Sequence, residues 1–378
     1  MKRFLSLMLA VLLLLGTVPG AMAETAIDPL EKRGIKVKKV GLNDVEEGIS
    51  PTTGLPLADY DLPAGFAGLA ATGRYLPMLV QIDNGNGGIG NMAPWGASYA
   101  DIIYESPLHS NGATRMSYLF SDLIPTSVGP VRSARVGHAW LREEWDAGFL
   151  FYGGQQRKGS NINEEFKKYG ANKKGVLFSG IVGSGRPWKK YYTRRSGGAP
   201  SPHNVDANVA AISELVPETH VAPNHAFKFT DELPTGDPAA EVIINWSHLG
   251  YGSNLIYDAD SNVYFRYMRT KDEEIPYEDR DSQEQLSFAN VIVQFANVTY
   301  NGSSAAPVTH HVGEGNADYF MGGVHIRGYW KREDMSSRTV YYKADGTELE
   351  MQRGKTLIIV FPDKILNKKM KSMGVSYE

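Results

Sequence analysis

Arginine, carboxylate and histidine side chains are concentrated between residues 83 and 204, and their types suit oxyanion chemistry. Arg115, Arg132 and Arg135 each carry a planar, permanently charged fork that pairs bidentately with phosphate or carboxylate. Asp83, Asp101 and Glu105 are the acids around them, Asn84 follows Asp83, and His203 precedes Asn204. Three chemistries fit. The arginines, with Asp83, Asn84, His203 and Asn204, could hold an anionic ligand. Alternatively, Asp83, Asp101 or Glu105 could act as base or metal holder in phosphate-ester chemistry, with the arginines stabilising developing charge and His203 moving the proton. Lastly, Arg132 and Arg135 could pair internally with Asp101 and Glu105 and bind nothing.

Short apolar runs must position these groups. Met78-Leu-Val-Gln-Ile82 reads as a strand delivering Asp83 and Asn84, followed by a glycine-rich loop over residues 85–90. Ile102, Ile103 and Tyr104 form a buried strand with Asp101 and Glu105 at its ends, within the string Ala100-Asp-Ile-Ile-Tyr-Glu105. Arg115, in Gly112-Ala-Thr-Arg115, opens another strand running to Phe120. In Gly129-Pro-Val-Arg-Ser-Ala-Arg135 a turn leads into a helix over residues 133–147. Arg132 and Arg135 therefore stand at a helix N-terminus, where free N–H groups favour an anion. Asn204 reads as the N-cap of a helix over 205–215, which leaves His203 exposed just before it.

The first 23 residues read as a signal peptide. Lys2 and Arg3 precede an apolar stretch, and Ala21-Met-Ala23 fits a cleavage site, so the mature chain is expected to begin at Glu24. No later segment is apolar enough to span a bilayer. The formal charge of −3 becomes −5 once Lys2 and Arg3 are removed, which argues against nucleic acid as a partner. The chain has no cysteine, hence no disulfide, no thiolate metal site and no lipid-bearing cysteine. The expected location is extracytoplasmic, secreted or envelope-associated.

At 378 residues the chain accommodates two domains. Residues 24–73, broken by Pro and Gly, read as a tether. Residues 74–235 alternate strands and helices as a mixed α/β layered domain, and residues 236–378 are short strands separated by turns, an antiparallel sheet or small barrel. The fold class is α+β. A basic tail over 364–371 reads as a solvated helix. Nucleophile-elbow and zinc-protease motifs are absent, and Gly354-Lys355-Thr356 lacks the first glycine of a phosphate loop. No cofactor is expected, and a divalent metal enters only with the enzyme reading.

On Ala100-Asp-Ile-Ile-Tyr-Glu105, Thr114-Arg115, Gly129-Pro-Val-Arg-Ser-Ala-Arg135, Gly153-Gly154 and Pro202-His203-Asn204, the chain resembles the YerB-like family. The likeness continues through Val291-Ile-Val-Gln-Phe295, Gly313-Glu-Gly315 and Gly328-Tyr-Trp-Lys-Arg332. The resemblance implies an α/β part followed by a β-rich part, exposed outside the membrane of a Gram-positive bacterium, in a family without an assigned activity. This chain departs from it by lacking the lipid-carrying cysteine, and by a glycine-rich loop after Asn84 in place of an arginine-proline pair. Partners consistent with both readings are a cell-wall or membrane-surface component, such as a wall polymer or lipid-linked precursor, or another envelope protein.

Overall fold

The structure is a computed structural model, and it describes residues 23–24, 44–84, 94–109, 113–183, 185–196, 200–246, 252–269, 273–300, 307–364 and 373–378. The expected signal peptide up to residue 22, the glycine-rich loop 85–90 and tail residues 365–371 lie outside them. Among the described residues strand makes up 43% and helix 13%, so they are mostly β, in a two-domain α+β layout with less helix than the α/β expectation implied.

The organising element is a mixed sheet of 11 strands. From the first part of the chain it takes β1 (Met78–Asp83), β2 (Ile102–Pro107), β3 (Thr114–Phe120), β4 (Gly148–Phe151) and β5 (Leu177–Ser179). From the second part it takes β6 (Asn290–Ala296), β7 (Gly313–Met321), β8 (Val324–Arg332) and β9 (Thr356–Pro362). The order is β8-β7-β6-β9-β2-β3-β1-β4-β5, with Asp237–Pro238 and Val340–Lys343 both flanking β8. β9 runs parallel to β2, pairing Thr356 with Ile102 and Ile359 with Glu105. The last long strand of the chain thus lies in the middle of the sheet, and the two parts share one hydrogen-bonded layer.

Side-chain alternation gives this sheet two faces. Met78, Val80 and Ile82 share a core with Leu357, Ile359 and Phe361 and with a second, 7-stranded sheet through Val242, Ile244, Leu255 and Tyr264. Leu79, Leu119, Ile358 and Val360 face the other way, onto α1 (Val136–Trp145) and α2 (Ile162–Lys168) through Leu141, Trp145, Ile162 and Phe166. Buried on both faces, the central strands read as continuous apolar runs rather than alternating ones.

Residues 44–73 are packed onto the body and do not stand off as a spacer. Ser50, Thr52 and Thr53 are buried, and Ala67 exchanges backbone hydrogen bonds with Ile124. The reason is chemical. Ser50 Oγ, Thr53 Oγ1 and the Tyr60 hydroxyl donate to Asp122 at 2.8, 3.0 and 2.6 Å, satisfying a carboxylate that is otherwise out of reach of water.

Candidate functional site

Antiparallel pairing of β1 with β3 sets Asp83 directly opposite Arg115, where cross-strand side chains on one face touch. Arg115 Nη2 lies 3.6 Å from Asp83 Oδ1, and both side chains are 3% exposed. β4 pairs with β1 only as far as Val80. The freed edge of β1 is taken by the Gly129–Arg135 string. Asp83 N–H donates to the Pro130 carbonyl at 3.0 Å and Arg132 N–H to the Gln81 carbonyl at 2.8 Å. On the other side Tyr152 N–H reaches the Arg132 carbonyl at 3.0 Å, so the string is wedged between the carboxyl ends of β1 and β4. Gly129 permits this, since a Cβ there would stand 2.4 Å from the Val205 carbonyl oxygen and 2.5 Å from the Trp95 ring.

The wedge brings Arg132 Nε to 3.1 Å from Asp83 Oδ2 and makes Arg135 the N-cap of α1. His138, in the first turn of that helix, accepts the Arg135 N–H on Nδ1 at 3.0 Å, which places its proton on Nε2, facing Ser106 Oγ at 3.4 Å. Burial, then Arg115 and Arg135, hold His138 well below the usual histidine range, so it stays neutral. His203, in the loop before the strand Val205–Ala207, places Nδ1 2.5 Å from Asp83 Oδ2. Asp83, Arg115, Arg132, Arg135 and His203 therefore assemble at the carboxyl ends of parallel strands β1 and β4, beside a helix N-terminus. Open α/β sheets bind their ligands in such crevices.

The electrostatics are unbalanced. Among the described residues Asp83 is the one carboxylate within ion-pair distance of Arg115, Arg132 or Arg135. Arg115 gives one bond to the Ser133 carbonyl at 2.7 Å, and Arg135 reaches only the Ser133 and Ala134 carbonyls, both at 3.3 Å. Nε of both is buried without a partner. Burial, opposed by Asp83 and reinforced by Arg135 and Arg132, pushes Arg115 down to about 9. Burial, then Arg132 and Arg157, push Arg135 down to about 10.

Other expected members fall elsewhere. Glu105 lies on the opposite face of the sheet, because the alternation that sends Asp83 and Arg115 toward α1 sends Glu105 toward the second sheet. There it is 1% exposed and fully partnered. Arg266 Nη2 donates at 2.7 Å, Thr114 Oγ1 at 2.7 Å and Asn84 Nδ2 at 3.0 Å. Tyr277 in turn donates to Asn84 Oδ1 at 2.5 Å. Asn84 thus belongs to the Glu105 cluster, and Glu105 pairs with Arg266, not with Arg132 or Arg135. Asp101 sits at the amino end of β2, about 13 Å along the strand from Glu105. It accepts from Ser121 and Asp122 N–H groups at 2.5 and 3.1 Å. Burial, then Asp122, hold it well above the usual carboxylate range. Asn204 is not a helix N-cap. It accepts from Arg194 and donates to the Arg195 carbonyl, clamping the loop that carries His203, and Asn208 caps the helix Val209–Ser213. Among the described residues no three His, Asp or Glu side chains converge as a metal site, and no helix is long and apolar enough to cross a membrane.

Sequence reasoning missed His138 and Arg266. The helical spacing of His138 from Arg135 was available; nothing local marks Arg266.

Comparison with known proteins places this architecture in a family. Residues 66–222 match the N-terminal domain, and residues 242–358 the C-terminal domain, of a protein family of unknown function, DUF3048. The fold is similar to the crystal structure of YerB protein from Bacillus subtilis, with a TM-score of 0.64 at 22% identity, covering 82% of this chain and 96% of that one. No curated protein matches the chain.

Proposed function

Since the chain belongs to the DUF3048 family, whose biochemical role is unknown, we propose that it is an exported cell-envelope protein that binds an anionic ligand through Arg115, Arg132 and Arg135. One observation carries the reading: of three clustered guanidinium groups, Arg115 and Arg132 share the single carboxylate of Asp83, Arg135 pairs with none among the described residues, and Nε of Arg115 and Arg135 is buried without a partner. Bringing so much like charge into a low-dielectric crevice is costly, and a phosphate or carboxylate placed there offsets it. The N-terminal segment supports export, and a wall polymer or lipid-linked precursor supplies such an anion outside the membrane. Calorimetric titration of residues 24–378 with inorganic phosphate tests the site. Saturable heat that Arg135→Ala removes supports it, and no heat with the wild type refutes it. Sequencing the N-terminus of protein recovered from the culture medium or wall fraction tests export, and an intact Met1 refutes it.

A second reading is favoured by the Asp83–His203 contact. A carboxylate that fixes one imidazole nitrogen leaves the other as a proton carrier, the arrangement used in general acid–base catalysis. On this reading the arginines steady a phosphate ester while His203 moves its proton, with Asp83 as orienting group. Asp101 and Glu105, at the other end and on the other face, take no part.

A further inference from the structure

Residues 166–205 hold nine of the chain's 39 Lys and Arg and none of its 42 Asp and Glu, although the whole chain is formally −3. Besides the exposed Lys167, Lys168, Lys173 and Lys174, this acid-free window presents a ridge built by the short helix Pro187–Tyr191 and the strand Tyr192–Arg194. Arg186, Lys189, Lys190 and Arg194 are all exposed, and no carboxylate among the described residues lies within ion-pair distance of them. Three of the four rest on aromatic rings instead. Arg186 lies over Trp188 at 5.5 Å, Lys190 over Tyr191 at 4.9 Å and Arg194 over Tyr152 at 5.5 Å. A cation on a ring keeps its charge and remaining donors available while losing side-chain freedom.

The ridge leads to the arginine crevice. Tyr152, under Arg194, gives its N–H to the Arg132 carbonyl at 3.0 Å and takes the Ser133 hydroxyl on its own carbonyl at 3.0 Å. We propose that residues 186–194 are a docking ridge for a linear polyanion with a phosphate in each repeat, one unit of which enters the Arg115–Arg132–Arg135 site. The inference extends the anion site proposed above from a single group to a polymer. A membrane surface is the less suitable occupant. Trp188, Tyr191 and Tyr192 are spent packing against the core, and Ile181, 61% exposed, is the one large apolar side chain of the segment left to insert. Anionic bilayers bind most tightly where several apolar groups enter beside the basic ones.

The test uses residues 24–378 with long-chain inorganic polyphosphate, inorganic phosphate and phosphatidylglycerol vesicles as probes. In the ridge variant Arg186, Lys189 and Lys190 are all changed to Gln, and Arg194 is kept because it clamps the loop that carries His203. A control loses three charges elsewhere, at Lys331, Lys343 and Lys364. The ridge variant is expected to bind polyphosphate at least tenfold more weakly than the control. By counterion release, its slope of log affinity against log salt should fall by about 3. Its response to inorganic phosphate should stay that of wild type. Equal losses in ridge variant and control, or vesicle binding without polyphosphate binding, overturn the proposal. Polyphosphate bound through the ridge with no response to inorganic phosphate keeps the ridge and removes the crevice reading.

Discussion

Asp83 and His203, 120 residues apart in the chain, meet at 2.5 Å between Oδ2 and Nδ1. The carboxylate accepts the Nδ1 proton, which leaves Nε2 without a partner among the described residues, on a side chain 25% exposed. Beside that ring lies a cavity of about 190 Å³, lined by Trp95, Arg195, Asn204 and Arg280 as well. If this pair works on phosphate esters, His203→Gln keeps the fold and loses about 10²- to 10⁴-fold in turnover, the usual worth of a general acid–base group. Hydrolysis of p-nitrophenyl phosphate and its bis-ester checks this. Wild type without turnover on any phosphate ester offered leaves binding as the role.

Asp83 also neutralises Arg115, and that role is structural. Asp83→Ala leaves a guanidinium that is 3% exposed with no counter-charge, and breaking a buried pair by removing one partner costs about 3 kcal/mol. Urea melts should show a lowered midpoint with an unchanged slope. Saturating phosphate should recover part of the loss, since the anion would stand where the carboxylate stood. A variant as stable as wild type would mean that Arg115 finds water or another partner.

Arg135 separates binding from folding. It has no carboxylate to lose, and Arg132 and Arg157 repel it. Arg135→Ala is therefore expected to melt at or slightly above the wild-type temperature without ligand. At about 100 times its dissociation constant, phosphate should stabilise wild type by about 2.7 kcal/mol, and the variant should gain far less. A variant that unfolds outright would make Arg135 a structural residue.

Much of this was legible in the chain. The strands carrying Asp83, Arg115 and Glu105 were read correctly because their apolar runs are short and bounded by turns. The helix after Arg135 was recognised from its glycine-proline turn, although it begins at Val136, not at residue 133. Strand parity is legible as well: alternate residues along β1 to β3 put Asp83 with Arg115 on one face and Asn84 with Glu105 on the other. Four residues of extended chain likewise separate Asp101 from Glu105. The Asp83–His203 and Glu105–Arg266 contacts join segments more than 100 residues apart, and no local periodicity encodes them. Residues 44–73 misled for another reason. Proline and glycine spacing suggested a spacer, while the information lay in Ser50, Thr52 and Thr53, whose partner is a distant aspartate.

Buried neutral histidines should make the protein acid-sensitive. Burial, then Arg332 and Arg338, push His225 down to about 4, and burial, then Arg332 and His310, push His311 down to about 3. In the unfolded chain both titrate near 6.5. Between about pH 6.5 and 4 the unfolded state therefore binds protons that the folded state refuses, so stability falls as pH falls. His225→Gln and His311→Gln should each flatten that dependence by about 1.4 kcal/mol per pH unit. Urea melts from pH 7 to 4.5 measure it. Parallel curves for variants and wild type would show that the rings are hydrated in the folded state.

Glu105 and Arg266 tie the two family domains together across the sheet face opposite the arginine crevice. Arg266 Nη2 also donates to Ser253 Oγ at 2.8 Å, and its guanidinium lies 4.5 Å from the Tyr277 ring centre. Arg266→Ala strands a carboxylate that is 1% exposed, at a cost of about 4 kcal/mol, because an uncompensated buried charge is worse than no pair at all. Glu105→Gln removes that charge while keeping an oxygen to accept from Thr114 and Asn84. The double variant should therefore be more stable than Arg266→Ala by 1 kcal/mol or more, a coupling of the size found between contacting groups. A double-mutant cycle on urea midpoints reads it directly. Additive losses would mean that Asn84 and Thr114 alone suffice to hold Glu105, and that the arginine contributes packing over Tyr277 rather than charge.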